Sequence, residues 1–296
     1  MQERTHSLME QAVEIPAQQD WIDGFADRLQ RTVTGAYERT GESSDQIADF
    51  LNGTWLGHPL HPVLTDLPIG FWTSSAALDL LETFGARGLR PGADATLALG
   101  LAGALAAAAA GVTDWQHTVG ETRRVGATHA ALNSLATLLY SGSLFMRLRR
   151  RRSMGRLLSM AGMGVAAYGA YLGGNLAFQR QVGMNHAPVE AGPEDFTPVI
   201  DAAELVEGRP MLADVEDGPL MLVRYQDRIY ALANSCAHLG GPLAEGHIED
   251  ECIVCPWHGS HFRLEDGEVI HGPSAYSQPS FDTRVVNGRV EVRRSR

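Results

Sequence analysis

"CPWHGSHF", residues 255–262, places Cys255 and His258 three positions apart in a stretch rich in glycine and aromatic residues. A thiol and an imidazole so spaced on one loop make half of a metal site. The other half lies upstream in "NSCAHLGGPL" (234–243), where Cys236 and His238 form C-x-H, with 16 residues between the two pairs. All three cysteines, Cys236, Cys252 and Cys255, fall inside this window, which argues for ligand chemistry over a disulfide framework. Two thiolates and two imidazoles suit a tetrahedral zinc ion. They equally suit a [2Fe–2S] cluster with two cysteines on one iron and two histidines on the other.

Around these pairs the pattern is one of short strands. "PLMLVRYQDRIYALA" (219–233) reads as a hairpin turning at Gln226–Asp227, and "ECIVC" (251–255), "GEVIH" (267–271), "DTRVV" (282–286) and "GRVEVR" (288–293) continue an all-β reading. Glycines and bulky apolar residues follow each pair, and "GPSAY" (272–276) offers a third loop to cover the site. With these loops, residues 196–296 resemble the Rieske family. The resemblance implies an all-β fold, one-electron transfer, and a [2Fe–2S] cluster at an exposed tip held by Cys236, His238, Cys255 and His258. Quinol-oxidising members join the two ligand loops by a disulfide; here those positions fall near Gly240–Gly241 and at Trp257, so the bridge is missing. High-potential members place a serine and a tyrosine after the second histidine, where this chain has Ser260 and Phe262. A lost donor to the cluster sulfurs lowers the potential, so a low to intermediate value within the Rieske range is expected. Cys252 reads as a buried small hydrophobe, and His247, His261 and His271 as solvent-exposed loop histidines.

Before this region the composition changes. Four apolar segments, 67–84, 95–113, 127–146 and 157–178, read as transmembrane helices, with small residues four apart at Gly100/Ala104, Ala107/Gly111 and Gly169/Gly173. Arg87, Arg90, Arg147, Arg149, Arg150, Arg151, Arg152 and Arg156 gather in two of the connections, against Arg123 and Arg124 in the third. The excess of arginine places those two connections in the cytoplasm and the C-terminal domain outside. "RRRRSMGRLLSMAGMG" (149–164) also bears a weak likeness to a twin-arginine signal, with Arg151 and Arg152 as its pair.

"HPLHPVLTDLP" (58–68) brings His58, His61 and Asp66 to the first helix, "TDWQH" ends the second with Asp114 and His117, and His129 opens the third, one turn before Asn133. All six ionisable groups fall at one membrane face. They are candidates for a haem b or quinone site, with helix capping as the competing structural role. The "HPLHP…D.PIG" entry and the later "DW" resemble a family of small predicted membrane proteins over residues 53–178, which implies a four-helix membrane domain.

The expected architecture is therefore a two-domain α plus all-β chain. A polar amphipathic N-terminal helical segment (1–52) packs with Trp21, Phe25, Leu29 and Val33 along one face, and with no apolar run after its first charges it does not read as a signal peptide. A four-helix membrane bundle (53–180), a linker (181–195) and a Rieske domain (196–296) follow. A net charge of −11 excludes nucleic acid as a partner. Sixteen Asp and Glu against nine Arg from residue 196 onward favour a redox partner protein with a basic docking face. The function expected is a membrane-anchored one-electron carrier of a bacterial or archaeal cytoplasmic membrane, exchanging electrons with a haem or quinone at the histidine-lined face. Membrane lipid is its surrounding, and homo-oligomerisation through small-residue helix faces is plausible on packing grounds. A quinol-oxidising oxidoreductase subunit and a redox-sensing module are the alternatives. A Rieske oxygenase is excluded, since no mononuclear-iron domain follows the cluster domain.

Overall fold

In the computed structural model, residues 8–188, 192–216 and 218–295 are described. Residues 189–191 of the expected linker and the first seven of the N-terminal segment lie outside them. The chain divides into two compact units, 1–41 with 60–182 and 42–59 with 183–296.

The first unit is helical. It comprises α1 (Leu8–Ala17), α2 (Asp23–Glu38), α4 (Leu60–Thr83), α5 (Arg90–Trp115), α6 (Gly120–Leu148) and α7 (Arg152–Gly174), while α3 (Ser44–Asn52) belongs to the second unit. The N-terminal stripe holds in its second half and is displaced by one residue in its first. Ile22, Ala26 and Val33 are buried and Leu29 half-buried, whereas Trp21 and Phe25 are exposed. The phase of α2 is set by its charges. Asp23 binds both Arg123 and Arg124, and Asp27 binds Arg123, which turns Ala26 towards Trp115 and Ala127.

The four apolar segments fall on α4 to α7, the last running on into a π-helical turn (Asn175–Gln179). Only α5, among the described helices, is long and apolar enough to cross a membrane by itself. Asp79 interrupts the apolar stretch of α4, and Ser, Gly and Tyr residues dilute those of α6 and α7, while ionic groups gather at one end of the bundle. Arg147, its side chain wholly buried, binds Asp79 and Asp94; Arg152 and Arg156 bind Asp79 and Glu82 as well. Apolar side chains such as Leu80, Phe84, Leu105, Leu138 and Met160 point outward instead. At that end the interior is ionic and the outer surface apolar, while Trp72, Leu97 and Tyr140 form an apolar centre.

Helix α4 packs on α5 and α6 on α7, and the two hairpins meet through α5–α6 and α4–α7, so α4 and α6 stand diagonally opposite. The hairpins repeat one pattern. His61 Nδ1 bonds to Ala107 O in the first and His129 Nδ1 to Gly169 O in the second. Ser75 Oγ donates to Ala93 O, and Ser143 Oγ to Gly155 O. Trp72 lies on Gly100 and Tyr140 on Gly162; His61 lies on Gly111 and His129 on Gly173. The spacing of these partners is the same along α4 as along α6, and along α5 as along α7. A pseudo-two-fold axis thus relates the hairpins, and equivalent residues meet across it: Trp72 stacks on Tyr140 at 4.0 Å between ring centroids, and Asp79 pairs with Arg147.

The second unit is built on two antiparallel sheets. The larger has the order β1 (Thr197–Asp201), β10 (Arg289–Arg294), β9 (Ser280–Val286), β4 (Arg228–Ala233), β3 (Leu220–Tyr225), β2 (Met211–Ala213). The smaller runs β5 (His247–Glu249), β6 (Cys252–Val254), β7 (His261–Arg263), β8 (Val269–His271). The β3–β4 hairpin turns at Gln226 and Asp227, both with φ above +50°, as a two-residue turn matched to strand twist requires. A core of Met221, Val223, Leu232, Leu243, Ile253 and Phe262 includes Cys236 and Cys255, so the strands fix the two sulfurs from below.

Candidate metal centre

The two loops that carry the Cys/His pairs are built alike. In the loop between β4 and β5, Cys236 N donates to Gly241 O (2.9 Å) and Gly240 N to Cys236 O (2.8 Å). In the loop between β6 and β7, Cys255 N donates to Ser260 O (2.9 Å) and Gly259 N to Cys255 O (3.0 Å). Gly240 and Gly259 hold equivalent places with φ of +77° and +76°, a conformation that glycine adopts without strain. Each loop thereby wraps its cysteine in backbone N–H groups, those of His238 and Leu239 around Cys236 and those of Trp257 and His258 around Cys255. Such nests favour negative sulfur.

Both cysteines are buried, while His238 and His258 are half-buried with ring centroids 5.0 Å apart and planes at 87°. The thiols lie in hydrogen-bond contact. The bond from Cys236, aided by the two N–H groups, brings Cys255 down to about 6, while the same contact and burial push Cys236 up. Burial also lowers His258, which keeps its imidazole neutral and its lone pair available. The four side chains are thus sorted into a buried pair of sulfurs and an outer pair of imidazoles. Among the described residues no three His, Cys, Asp or Glu converge as ligands of a single ion. Two pairs side by side fit a two-iron group better than one tetrahedral zinc. Gly241 completes the fit, because a Cβ there would stand 2.9 Å from Cys255 Sγ and 3.1 Å from the ring of Trp257.

The expected neighbours are near. Phe262 is fully buried in the core that holds both cysteines, Trp257 is 56% exposed beside His258, and Ser260 is buried, its Oγ accepting from Ser274 N at 3.0 Å. Cys252 is buried on β6, as expected of a small hydrophobe. His247, His261 and His271 lie on strands β5, β7 and β8 rather than on loops. His261 is half-buried and lowered by that burial, with His271 adding to it. His271 is fastened by its Nδ1 to Asp49 Oδ2 at 2.9 Å.

Two supports escaped the sequence reading. Gln278, buried, accepts from Ala237 N (3.0 Å) and donates to Ala233 O and Ser235 O (both 2.7 Å), which pins the first loop. Asp49 of α3 holds the third loop through His271 and Gly272 N, and Thr54 reaches Ser274 O. A lone glutamine and an aspartate remote in sequence leave no local signal; only "GPSAY" marked the loop that Asp49 serves.

The candidates of the helical region are partly gathered. His61 and His129 meet, their ring centroids 6.4 Å apart and their planes at 82°. Asn133 lies against the His129 ring and bonds His129 O at 2.9 Å. Asp66 is exposed on α4, and Asp114 and His117 stand at the end of α5. His58 falls in the other unit, exposed, with its Nδ1 on Pro59 O.

Residues 195–282 match the Rieske [2Fe-2S] domain, and residues 57–186 match the family described as predicted membrane protein (DUF2231). The ferredoxin component of the alkene monooxygenase system of Xanthobacter autotrophicus is 32% identical over 109 residues, 36% of this chain and 88% of that protein. The anthranilate 1,2-dioxygenase ferredoxin subunit of Burkholderia cepacia is 28% identical over 35% of this chain and 95% of its own length. Apoptosis-inducing factor 3 of mouse is 28% identical over 33% of this chain, which spans only 16% of that relative. The chain therefore belongs to the Rieske [2Fe-2S] family through its C-terminal domain, which follows a helical region that matches the DUF2231 predicted membrane proteins.

Proposed function

We propose that this protein is a membrane-anchored one-electron carrier whose [2Fe–2S] cluster is held by Cys236 and Cys255 on the inner iron and His238 and His258 on the outer one. The observation that carries this reading is the sorting of the four side chains, sulfurs in the core and imidazoles at the surface. Bound there, the cluster would supply one-electron chemistry, with the His238 and His258 imidazoles lying between it and a partner at the surface. Ferredoxins serving oxygenases are among the relatives, which favours a separate redox protein as partner. The acidic surface of the domain favours a basic docking face on it.

Helices α4 to α7 span the bilayer together in this reading. The support is the apolar outer surface of the helices, where leucine, methionine and phenylalanine are exposed while Asp79, Arg147 and Ser143 are buried. A buried ionic network lets helices that fail individually as spans cross as a group. Arg149, Arg150 and Arg151 are exposed at one end, whereas Arg123 and Arg124 at the other are neutralised by Asp20, Asp23 and Asp27. That asymmetry favours the α6–α7 turn in the cytoplasm and the Rieske domain on the opposite side.

The test is electron paramagnetic resonance of the reduced full chain in mild detergent, with iron and sulfide analysis and carbonate extraction of membranes. A histidine-ligated [2Fe–2S] signal, two irons per chain and retention in the extracted membranes are expected. A zinc-containing, iron-free protein would overturn the cluster, and release by carbonate would overturn the anchor.

A further inference from the structure

We propose that His61 and His129 together bind a transition metal on the axis of the helical bundle, a centre separate from the Cys/His loops. The inference uses only residues of the helical unit and stands whether or not the cluster assignment does.

The two histidines occupy equivalent positions in the repeated hairpins and come from diagonal helices, so their rings meet on the pseudo-two-fold axis. Each ring is held the same way. Nδ1 of His61 lies 2.7 Å from Ala107 O and Nδ1 of His129 lies 2.8 Å from Gly169 O. A carbonyl can only accept, so both Nδ1 atoms carry the proton and both Nε2 atoms keep a lone pair, that of His129 with Asn133 Nδ2 3.3 Å away for a metal to displace. A backbone carbonyl on the far nitrogen is the usual device that orients a metal-binding imidazole. Glycines seat both rings: a Cβ at Gly111 would stand 2.7 Å from His61, and one at Gly173 would stand 3.0 Å from His129. The rings are therefore fixed in tautomer and in direction before any ligand arrives.

Separation and ligand count then select the ligand. With metal–imidazole bonds of about 2 Å, two imidazoles across one metal place their centroids about 6 Å apart. The observed separation is 6.4 Å. No third His, Cys, Asp or Glu joins them among the described residues. A metal held by two protein ligands either brings its other ligands with it, as haem iron does, or is content with few, as copper(I) is. The shared chemistry is bis-imidazole coordination. A purely structural role would be met by the carbonyl hydrogen bonds alone, and in that case glutamine, whose amide can make the same bond, replaces either histidine without loss of any ligand.

The experiment uses the full chain purified in mild detergent from cells supplied with iron and a haem precursor, with metal analysis and an optical spectrum. Samples without bound metal are titrated with haemin, copper(I) and zinc(II). The variants are His61→Gln and His129→Gln, with His58→Gln as control. A Soret band lost at least tenfold in both Gln variants and kept in His58→Gln supports the proposal and identifies haem iron. One equivalent of copper or zinc with the same dependence supports it and identifies a bare ion. A parent that contains and takes up none of the three, or binding that survives both substitutions, overturns it. If the Gln variants do not accumulate, His129→Met decides: altered metal content or spectrum supports the proposal, and an identical spectrum overturns it. The paramagnetic signal of the reduced cluster in the same samples reports on the C-terminal domain separately.

Discussion

Gly241→Ala isolates the fit between the first loop and the sulfur of the second. The new methyl would stand 2.9 Å from Cys255 Sγ and 3.1 Å from two ring atoms of Trp257, where ordinary contact is about 3.5–4.0 Å. Relief needs a shift of roughly 0.6 Å or more at the sulfur. The backbone of Gly241 cannot give instead, because its carbonyl receives Cys236 N–H and moving it would displace the other cysteine. Overpacking of this kind costs about 1–3 kcal/mol, roughly 5- to 150-fold in the population of the arrangement that can hold the cluster. Gly240→Ala is the control. Its φ of +77° makes alanine costly by about 1–2 kcal/mol, yet the nearest atom to its Cβ is Ser235 Oγ at 3.5 Å, so neither sulfur is pushed. Iron and acid-labile sulfide per chain are followed during incubation with a chelator, beside the paramagnetic signal. Gly241→Ala should lose its cluster at least about tenfold faster than Gly240→Ala. Equal retention with unaltered g values would refute the argument that Gly241 is there to leave room for the Cys255 sulfur.

Ser260→Ala strips Ser274 N–H of its buried acceptor and removes a hydroxyl from the second loop; a loss of about 1 kcal/mol in stabilisation of the reduced cluster lowers the midpoint by about 40 mV, and an unchanged potential in a redox titration would count against the role given to Ser260. Asp79→Leu takes away the carboxylate shared by Arg147, Arg152 and Arg156. It should cost about 3–5 kcal/mol, with part recovered in Asp79→Leu/Arg147→Leu; equal thermal aggregation of single and double variants in detergent would contradict this. Hydrogen bonds from Arg124 and Arg123 hold Asp23 down at about 2. Because the folded value is depressed, this carboxylate stabilises the docking of α2 above its unfolded value near 4, and the contribution fades as pH falls towards 2. Asp23→Asn should flatten that part of the acid-unfolding curve, and a superimposable curve would remove Asp23 from the account.

By itself the sequence determined what is local. The C-x-H and C-x-x-H pairs with their glycines, the Gln226–Asp227 hairpin and the apolar stretches inside α4 to α7 are all set by neighbours a few residues away, so spacing reveals them. Spacing also held the repeat of the two helical hairpins, in the matched positions of His61 and His129 or Trp72 and Tyr140. Sequence identity between the halves is too low to display it without the contacts. What only the tertiary structure decided depends on residues far apart in the chain. It sorted the ligand candidates into a buried sulfur pair and an outer imidazole pair, and it assigned residues 42–59 to the C-terminal unit, where Asp49 holds the loop at His271. It turned Trp21 and Phe25 outward, because ion pairs to Arg123 and Arg124 fix the phase of α2 more firmly than its apolar stripe does. Of the six ionisable groups of one expected face, it brought His61 and His129 together. Periodicity tells which side of a helix is apolar; which partner that side meets is settled by packing across the whole chain.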